Sequence, residues 1–193
     1  MQSKRILIVG CGDLGSRHLQ AICAMPQVTE VEVIEPSAEG LDLGRKRVDE
    51  VKDRNSKITF RWLRSFDEAS RGGDLCIVAT LADVRCQVTH DVVNQLEYSS
   101  FLLEKMVAQS IGDYERLIRF SEKMGLSIWV NCQMRAHDTF KRAKEKINSE
   151  LPFVFSVTGG NHGLATNGIH AADLFVFYAG TDAIEEVAKN VDM

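Results

Sequence analysis

The sequence has no apolar run near the roughly 20 residues that a helix needs to span a bilayer, so no membrane partner is expected. Its first apolar stretch covers only residues 6–9, too short for the hydrophobic region of a secretory signal. Basic residues do not dominate. Lys and Arg number 23 against 27 Asp and Glu, a net charge of -4, and there is no strongly basic patch, which argues against nucleic acid as a partner. No C-x-x-C pair occurs. The cysteines are Cys11, Cys23, Cys76, Cys86 and Cys132, odd in number and scattered. That pattern fits free thiols in a reducing, cytoplasmic setting and opposes a disulfide framework or a zinc site. Internal repeats and low-complexity segments are also lacking. What remains is 193 residues of ordinary globular composition, long for one domain and short for two.

Apolar and amphipathic segments alternate along most of the chain. Strands are expected at 6–9, 28–35, 58–63, 75–80, 100–103 and 128–131, the first and fourth continuously apolar as in a strand buried on both faces. Helices are expected at 14–25, 38–52, 84–96 and from Ser110 to about Met124, with Gly125 ending the last. Val84, Val88, Val92 and Leu96 recur on one face of the third. This alternation gives an α/β fold with a doubly wound parallel sheet over residues 1–131, whose strand C-termini form one ligand-binding edge. From residue 132 the pattern changes. A basic helix at 139–148, a strand at 153–158, a loop rich in Gly, Asn and His at 159–168, an apolar helix at 169–178 and a strand at 184–191 suggest a partial α+β domain.

The glycine-rich turn after the first strand reads Gly10-Cys11-Gly12-Asp13-Leu14-Gly15, a G-x-G-x-x-G motif. Gly10 permits the tight turn, Gly12 lets the backbone approach a pyrophosphate, and Gly15 lets the helix pack close to the sheet. The amides at the helix start and the positive end of its dipole would hold the phosphates. Glu35 ends the second strand, 20 residues after Gly15, where a carboxylate accepts hydrogen bonds from the adenosine ribose. The same charge repels a ribose 2′-phosphate, so NAD is expected over NADP. Arg45, Lys46 and Arg47 fall inside the next helix, where a solvated face is expected. The competing reading is a glycine turn in some other α/β protein, with Glu35 merely solvated.

Taken together with three later segments, this motif resembles the family of glucose–fructose oxidoreductase and inositol 2-dehydrogenase. The motif lies within residues 6–18, ending in His18, and the later segments are Leu102-Leu103-Glu104-Lys105-Met106, similar to the family's Glu-Lys-Pro; Val130-Asn131-Cys132-Gln133-Met134-Arg135; and Gly168-Ile169-His170-Ala171-Ala172-Asp173-Leu174. The resemblance implies a Rossmann domain followed by a substrate domain, and hydride transfer between nicotinamide and a sugar, sugar derivative or polyol. It places Lys105 at the nicotinamide end, donating to the reacting oxygen, and makes His170 the general acid/base. Thr80 and Glu104 would line the cofactor cleft. Arg135, Asn161, His162, Thr166 and Asn167 are candidate polar partners of the substrate. No metal is expected, since His162 and His170 have no further ligand at a recognisable spacing. Lys105 as a surface lysine and His170 as a packed histidine stay open as alternatives.

Three departures from the family pattern bear on activity. Met106 stands where the family has proline, which rigidifies the turn that presents the lysine. Thr166 stands where many family dehydrogenases have aspartate, and a hydroxyl cannot stabilise an imidazolium as a carboxylate does. Asp173, three residues after His170, is expected to be structural. The chain also stops early, so a truncated relative, a fragment, or a protomer completed by another chain is expected, with association through the edges of the second-domain sheet. A non-catalytic dinucleotide-binding protein, a sensor or partner subunit, is the alternative function.

Overall fold

A computed structural model describes residues 3–148, 151–160 and 163–181. The chain divides into two compact units, Met1–Asn131 and Cys132–Met193.

In the first unit six strands, β1 (Lys4–Val9), β2 (Val28–Ile34), β3 (Thr59–Leu63), β4 (Leu75–Val78), β5 (Ser100–Leu103) and β6 (Ser127–Val130), form one sheet in the order β3-β2-β1-β4-β5-β6. Every pairing is parallel. Side chains alternate across a strand, so β1 feeds two cores. Leu7 and Val9 join Val78, Phe101 and Leu103 on one face, where Val92, Val93 and Leu96 of α3 (Ala82–Leu96) and Leu117 of α4 (Ile111–Met124) cover them. Ile6 and Ile8 join Val31 and Val33 on the other, under Leu19 and Ile22 of α1 (Asp13–Cys23) and Leu41 and Val48 of α2 (Ala38–Asp49). Fully burying each such side chain contributes about 1.5–3 kcal/mol. This is the Rossmann arrangement. β2 lies on one side of β1 and β4 on the other, and the crevice at their C-terminal ends is where such sheets take ligands.

Local chemistry sets the helix ends. Ser37 caps α2 by accepting from the Gly40 N–H at 3.4 Å, and Ser110 caps α4 by accepting from the Asp113 N–H at 3.2 Å. Gly125 closes α4 in the left-handed region at φ 64°. A carboxylate lies inside the sheet: Glu32, fully buried on β2, accepts from Arg61 of β3 and from the Ser70 N–H and hydroxyl at 3.0 and 2.9 Å. These three donors offset the burial of that charge.

The apolar face assigned to α3 differs from the one in the structure. Val92 and Leu96 are buried, but Val84 is 45% exposed, and Arg85 and Thr89 take the buried positions beside them. Val88 is partly buried and packs against this core as expected, and it also lines a cavity with Val84, the one member of the stripe that is exposed.

The second unit comprises, among the described residues, a 3-10 turn (Gln133–Ala136), α5 (Asp138–Glu145) and α6 (Leu164–Ala179). Two expectations are corrected. Residues 153–158 form no strand among the described residues; Phe153 and Phe155 instead set their rings against Phe175, with centroids 5.8 and 6.0 Å away. The helix expected from residue 169 begins at Leu164, so Thr166 and Asn167 are helical rather than in a loop. Gly163 supplies the N-cap with φ 64°, and the glycine- and asparagine-rich composition hid that start. Asn161, His162 and the strand expected at 184–191 lie outside the described residues. No helix among the described residues is long and apolar enough to cross a membrane.

Candidate functional site

A cavity of about 950 Å³ opens in the first unit at the C-terminal ends of β1, β2 and β4, among Gly10, Gly12, Glu35, Arg64, Phe66 and Thr80. Its volume is at the upper end for small-molecule sites. The glycine turn shapes one wall. Gly10 has φ +89°, and a Cβ there would come within 2.9 Å of the Thr80 nitrogen. A Cβ on Gly15 would sit 1.9 Å from the Gly10 carbonyl oxygen, so α1 packs against the turn as closely as backbone allows. Gly12 is different: nothing lies within 4 Å of where its Cβ would be. As N-cap of α1 it also has no side chain to cap the first-turn amides, which cannot bond within the helix. The open space and the amide donors coincide, and the helix dipole adds positive potential there.

Asp13 and Leu14, in that first turn, also line the cavity. The Asp13 carboxylate would oppose an anion but is paired with Arg47 at 3.0 Å. Arg47 also donates to the Ser16 hydroxyl and the Asp13 carbonyl. Arg45 pairs with Asp42 and lies over the Trp62 ring.

Glu35 follows β2. One carboxylate oxygen accepts from the Cys11 N–H at 2.7 Å and the other from the Ser37 N–H at 2.9 Å. Each oxygen keeps a lone pair for a ligand hydroxyl. A Cβ on Gly40 would come within 2.7 Å of the Glu35 side chain, so Gly40 makes room for this carboxylate. The Cys11 thiol beside it is pushed up to about 11, first by burial and then by the charge of Glu35, which leaves it unreactive.

Thr80 follows β4 and lines the cavity, whereas Glu104 is turned inward. Its carboxylate is 3% exposed and accepts from Asn131 Nδ2 at 2.6 Å and pairs with His18 Nε2 at 2.8 Å. Burial pushes the Glu104 pKa up, but the bonds from His18, Asn131 and the Lys105 N–H outweigh it and hold the group below its ordinary value. Glu104 therefore ties α1 to the ends of β5 and β6. Lys105 follows it, half-buried in the turn after β5.

In the second unit His170 stands on α6, its Nδ1 buried and without a hydrogen-bond partner among the described residues. Arg135 forms a two-pronged pair with Asp173, with Nε to Oδ2 at 2.9 Å, and lies over Phe177. The Thr166 hydroxyl donates to the Gly163 carbonyl at 3.1 Å. Among the described residues no group of three or more His, Cys, Asp and Glu is placed to hold a metal ion.

Sequence reasoning missed Arg64, Phe66, Val84 and Val88 as cavity residues. Arg64 and Phe66 directly follow β3, and their position at the ligand edge was the available signal. Val84 and Val88 follow the spacing of the core stripe, to which Val88 does belong.

No family model matches the chain, and no curated protein matches it. Solved structures do. A scyllo-inositol dehydrogenase from Lactobacillus casei with bound NAD(H) and scyllo-inositol matches with a TM-score of 0.69 at 18% identity, over 93% of this chain and 57% of that one. A myo-inositol 2-dehydrogenase from Lactobacillus plantarum matches with a TM-score of 0.70 at 14% identity, over 93% and 57%. A UDP-N-acetylglucosamine 3-dehydrogenase from Acidithiobacillus ferrooxidans matches with a TM-score of 0.67 at 18% identity, over 96% and 57%. The likeness is one of fold. The chain spans a little over half the length of these structures.

Proposed function

We propose that this chain is a nicotinamide-dependent oxidoreductase, using NAD in preference to NADP and transferring a hydride between the nicotinamide and a hydroxyl or carbonyl of a sugar, sugar derivative or polyol. The observation that carries the reading is the pairing of the open space at Gly12 with the Glu35 carboxylate on one cavity. The NAD(H)-bound scyllo-inositol dehydrogenase and the UDP-N-acetylglucosamine 3-dehydrogenase that share the fold suggest the substrate class. The cofactor fits the residues present: first-turn amides of α1 for the pyrophosphate, Glu35 for the adenosine ribose, Thr80 on the far wall. When bound, it supplies the hydride donor or acceptor.

Lys105 is assigned to donate to the reacting oxygen and stabilise charge there. His170 is assigned to exchange the hydroxyl proton. Arg135, Asn161, His162, Thr166 and Asn167 remain the proposed polar partners of the substrate, with Arg135 acting from its pair with Asp173. The protein is proposed to act in the cytoplasm, and association through the second unit is part of the same reading.

One observation favours a dinucleotide-binding protein without turnover: the Thr166 hydroxyl, in the place of a family carboxylate, is spent on its own helix start. A fluorescence titration with NADH and NADPH, followed by turnover across a sugar and polyol panel, separates the two. Oxidoreduction predicts turnover that disappears in Lys105→Ala and His170→Ala while NADH binding persists. Binding with no turnover of any panel member supports the second reading, and absence of NADH binding overturns both.

A further inference from the structure

We propose that Arg85 is the positioning residue for Lys105, clamping the turn after β5 to the loop after β4 in place of the proline that Met106 replaces. The proposal rests on the assignment of Lys105 to the reacting end. Every group involved belongs to the first unit.

Arg85 sits near the start of α3 and is 4% exposed. Its guanidinium fork spans two strand ends: Nη1 donates to the Met106 carbonyl and Nη2 to the Thr80 carbonyl. Thr80 is on the cavity wall, so the fork links that wall to the turn presenting Lys105. The rest of the turn is held separately. The Val107 N–H donates to the Tyr114 hydroxyl at 3.0 Å, the Cys86 thiol contacts the Val107 carbonyl at 3.8 Å, and Val107 and Ala108 are 2% and 3% exposed. At Met106, the residue next to Lys105, the carbonyl is gripped by Arg85.

The cost of this arrangement argues that its geometry matters. Burial lowers the Arg85 pKa, opposed chiefly by the field of Glu104, which makes no contact ion pair with it. Its Nε is buried with no hydrogen-bond partner among the described residues. A core position that only needed filling would be served more cheaply by an apolar side chain. A planar fork that reaches two carbonyls at once is something that arginine supplies and lysine does not. Proline stiffens a turn by fixing its own φ; here an arginine from the neighbouring helix grips the turn from outside.

The test is the rate at which Lys105 is acetylated by a trace amine reagent in the full-length protein, read by mass spectrometry against Lys123 on α4. Arg85→Met is expected to raise the Lys105 rate about tenfold relative to Lys123, as a loosened turn frees the ammonium. Adding Met106→Pro to Arg85→Met is expected to return the rate toward wild type, a rescue that a residue merely filling the core would not give. A folded Arg85→Met protein with wild-type labelling at Lys105 overturns the proposal, as does an increase that Met106→Pro leaves untouched. If Arg85→Met does not fold, Arg85→Lys decides: its ammonium cannot span both carbonyls, so faster labelling supports the clamp and wild-type labelling overturns it. The labelling needs no cofactor, so a failure to bind NADH would sink the proposed function and leave this test standing.

Discussion

The Cys11 N–H donates to the Glu35 carboxylate at 2.7 Å and thereby fastens the glycine turn after β1 to the residue that follows β2. Replacing Glu35 removes this bond together with the proposed acceptor for the ribose. Hydrogen bonds to charged groups contribute about 1.5–3 kcal/mol, so Glu35→Ala is expected to weaken NADH binding roughly 10- to 100-fold in a fluorescence titration. Glu35→Gln keeps the shape and removes the charge, and it should narrow the ratio of NADH to NADPH affinity. An unchanged ratio would remove the electrostatic basis for NAD preference.

Two glycines of one motif should respond in opposite ways to alanine. At Gly15 the added carbon meets the Gly10 carbonyl at 1.9 Å, and the helix must retreat from the sheet. Gly15→Ala is expected to lower stability by about 2 kcal/mol or more, seen as a reduced denaturation midpoint. At Gly12 the carbon enters open space. Gly12→Ala should unfold like the parent but bind NADH at least tenfold more weakly, since the methyl stands where the pyrophosphate is proposed to approach the backbone.

Much of the first unit was legible because its central strands are buried on both faces and read as short apolar runs between turn residues. The cofactor turn was legible because its conformation demands glycine. Charged residues that the fold turns inward were harder to read. Arg85 on α3 looks like part of a solvated face, since an isolated arginine is seldom buried. The partnership of His18 with Glu104 joins residues 86 apart, and no spacing rule reaches that far. In the second unit the alternation at 153–158 implied a strand, but a strand forms only against another, and no partner occurs among the described residues.

Acid should act through Glu104. In the fold its pKa lies below the ordinary 4.5, because the bonds from His18, Asn131 and Lys105 outweigh burial. A depressed carboxylate contributes stability that is fully present above its unfolded pKa and is lost as pH falls through the folded value. Urea midpoints measured from about pH 6 down to about pH 3 should therefore fall more steeply for the parent than for Glu104→Gln. The exposed carboxylates Glu68, Asp74 and Asp113, also depressed, are common to both proteins and cancel in the comparison. Parallel slopes would show that the buried network carries no pH-dependent stability.

A hydroxyl left over in the core offers a stabilising substitution. The Tyr98 Oη is buried with no hydrogen-bond partner among the described residues, and the side chain is 1% exposed against Gly73. Leaving such a group unsatisfied costs about 1–3 kcal/mol. Tyr98→Phe keeps the ring and should match or exceed the parent in thermal unfolding; a lower midpoint would mean that the hydroxyl has a partner after all.

The chain's two tryptophans fall on the two outermost strands, Trp62 on β3 and Trp129 on β6. Each rim of the sheet thus holds an optical gauge, one partly sheltered beneath Arg45 and the other 58% open to solvent. Emission from single-tryptophan versions would show whether the two margins come apart together or in sequence.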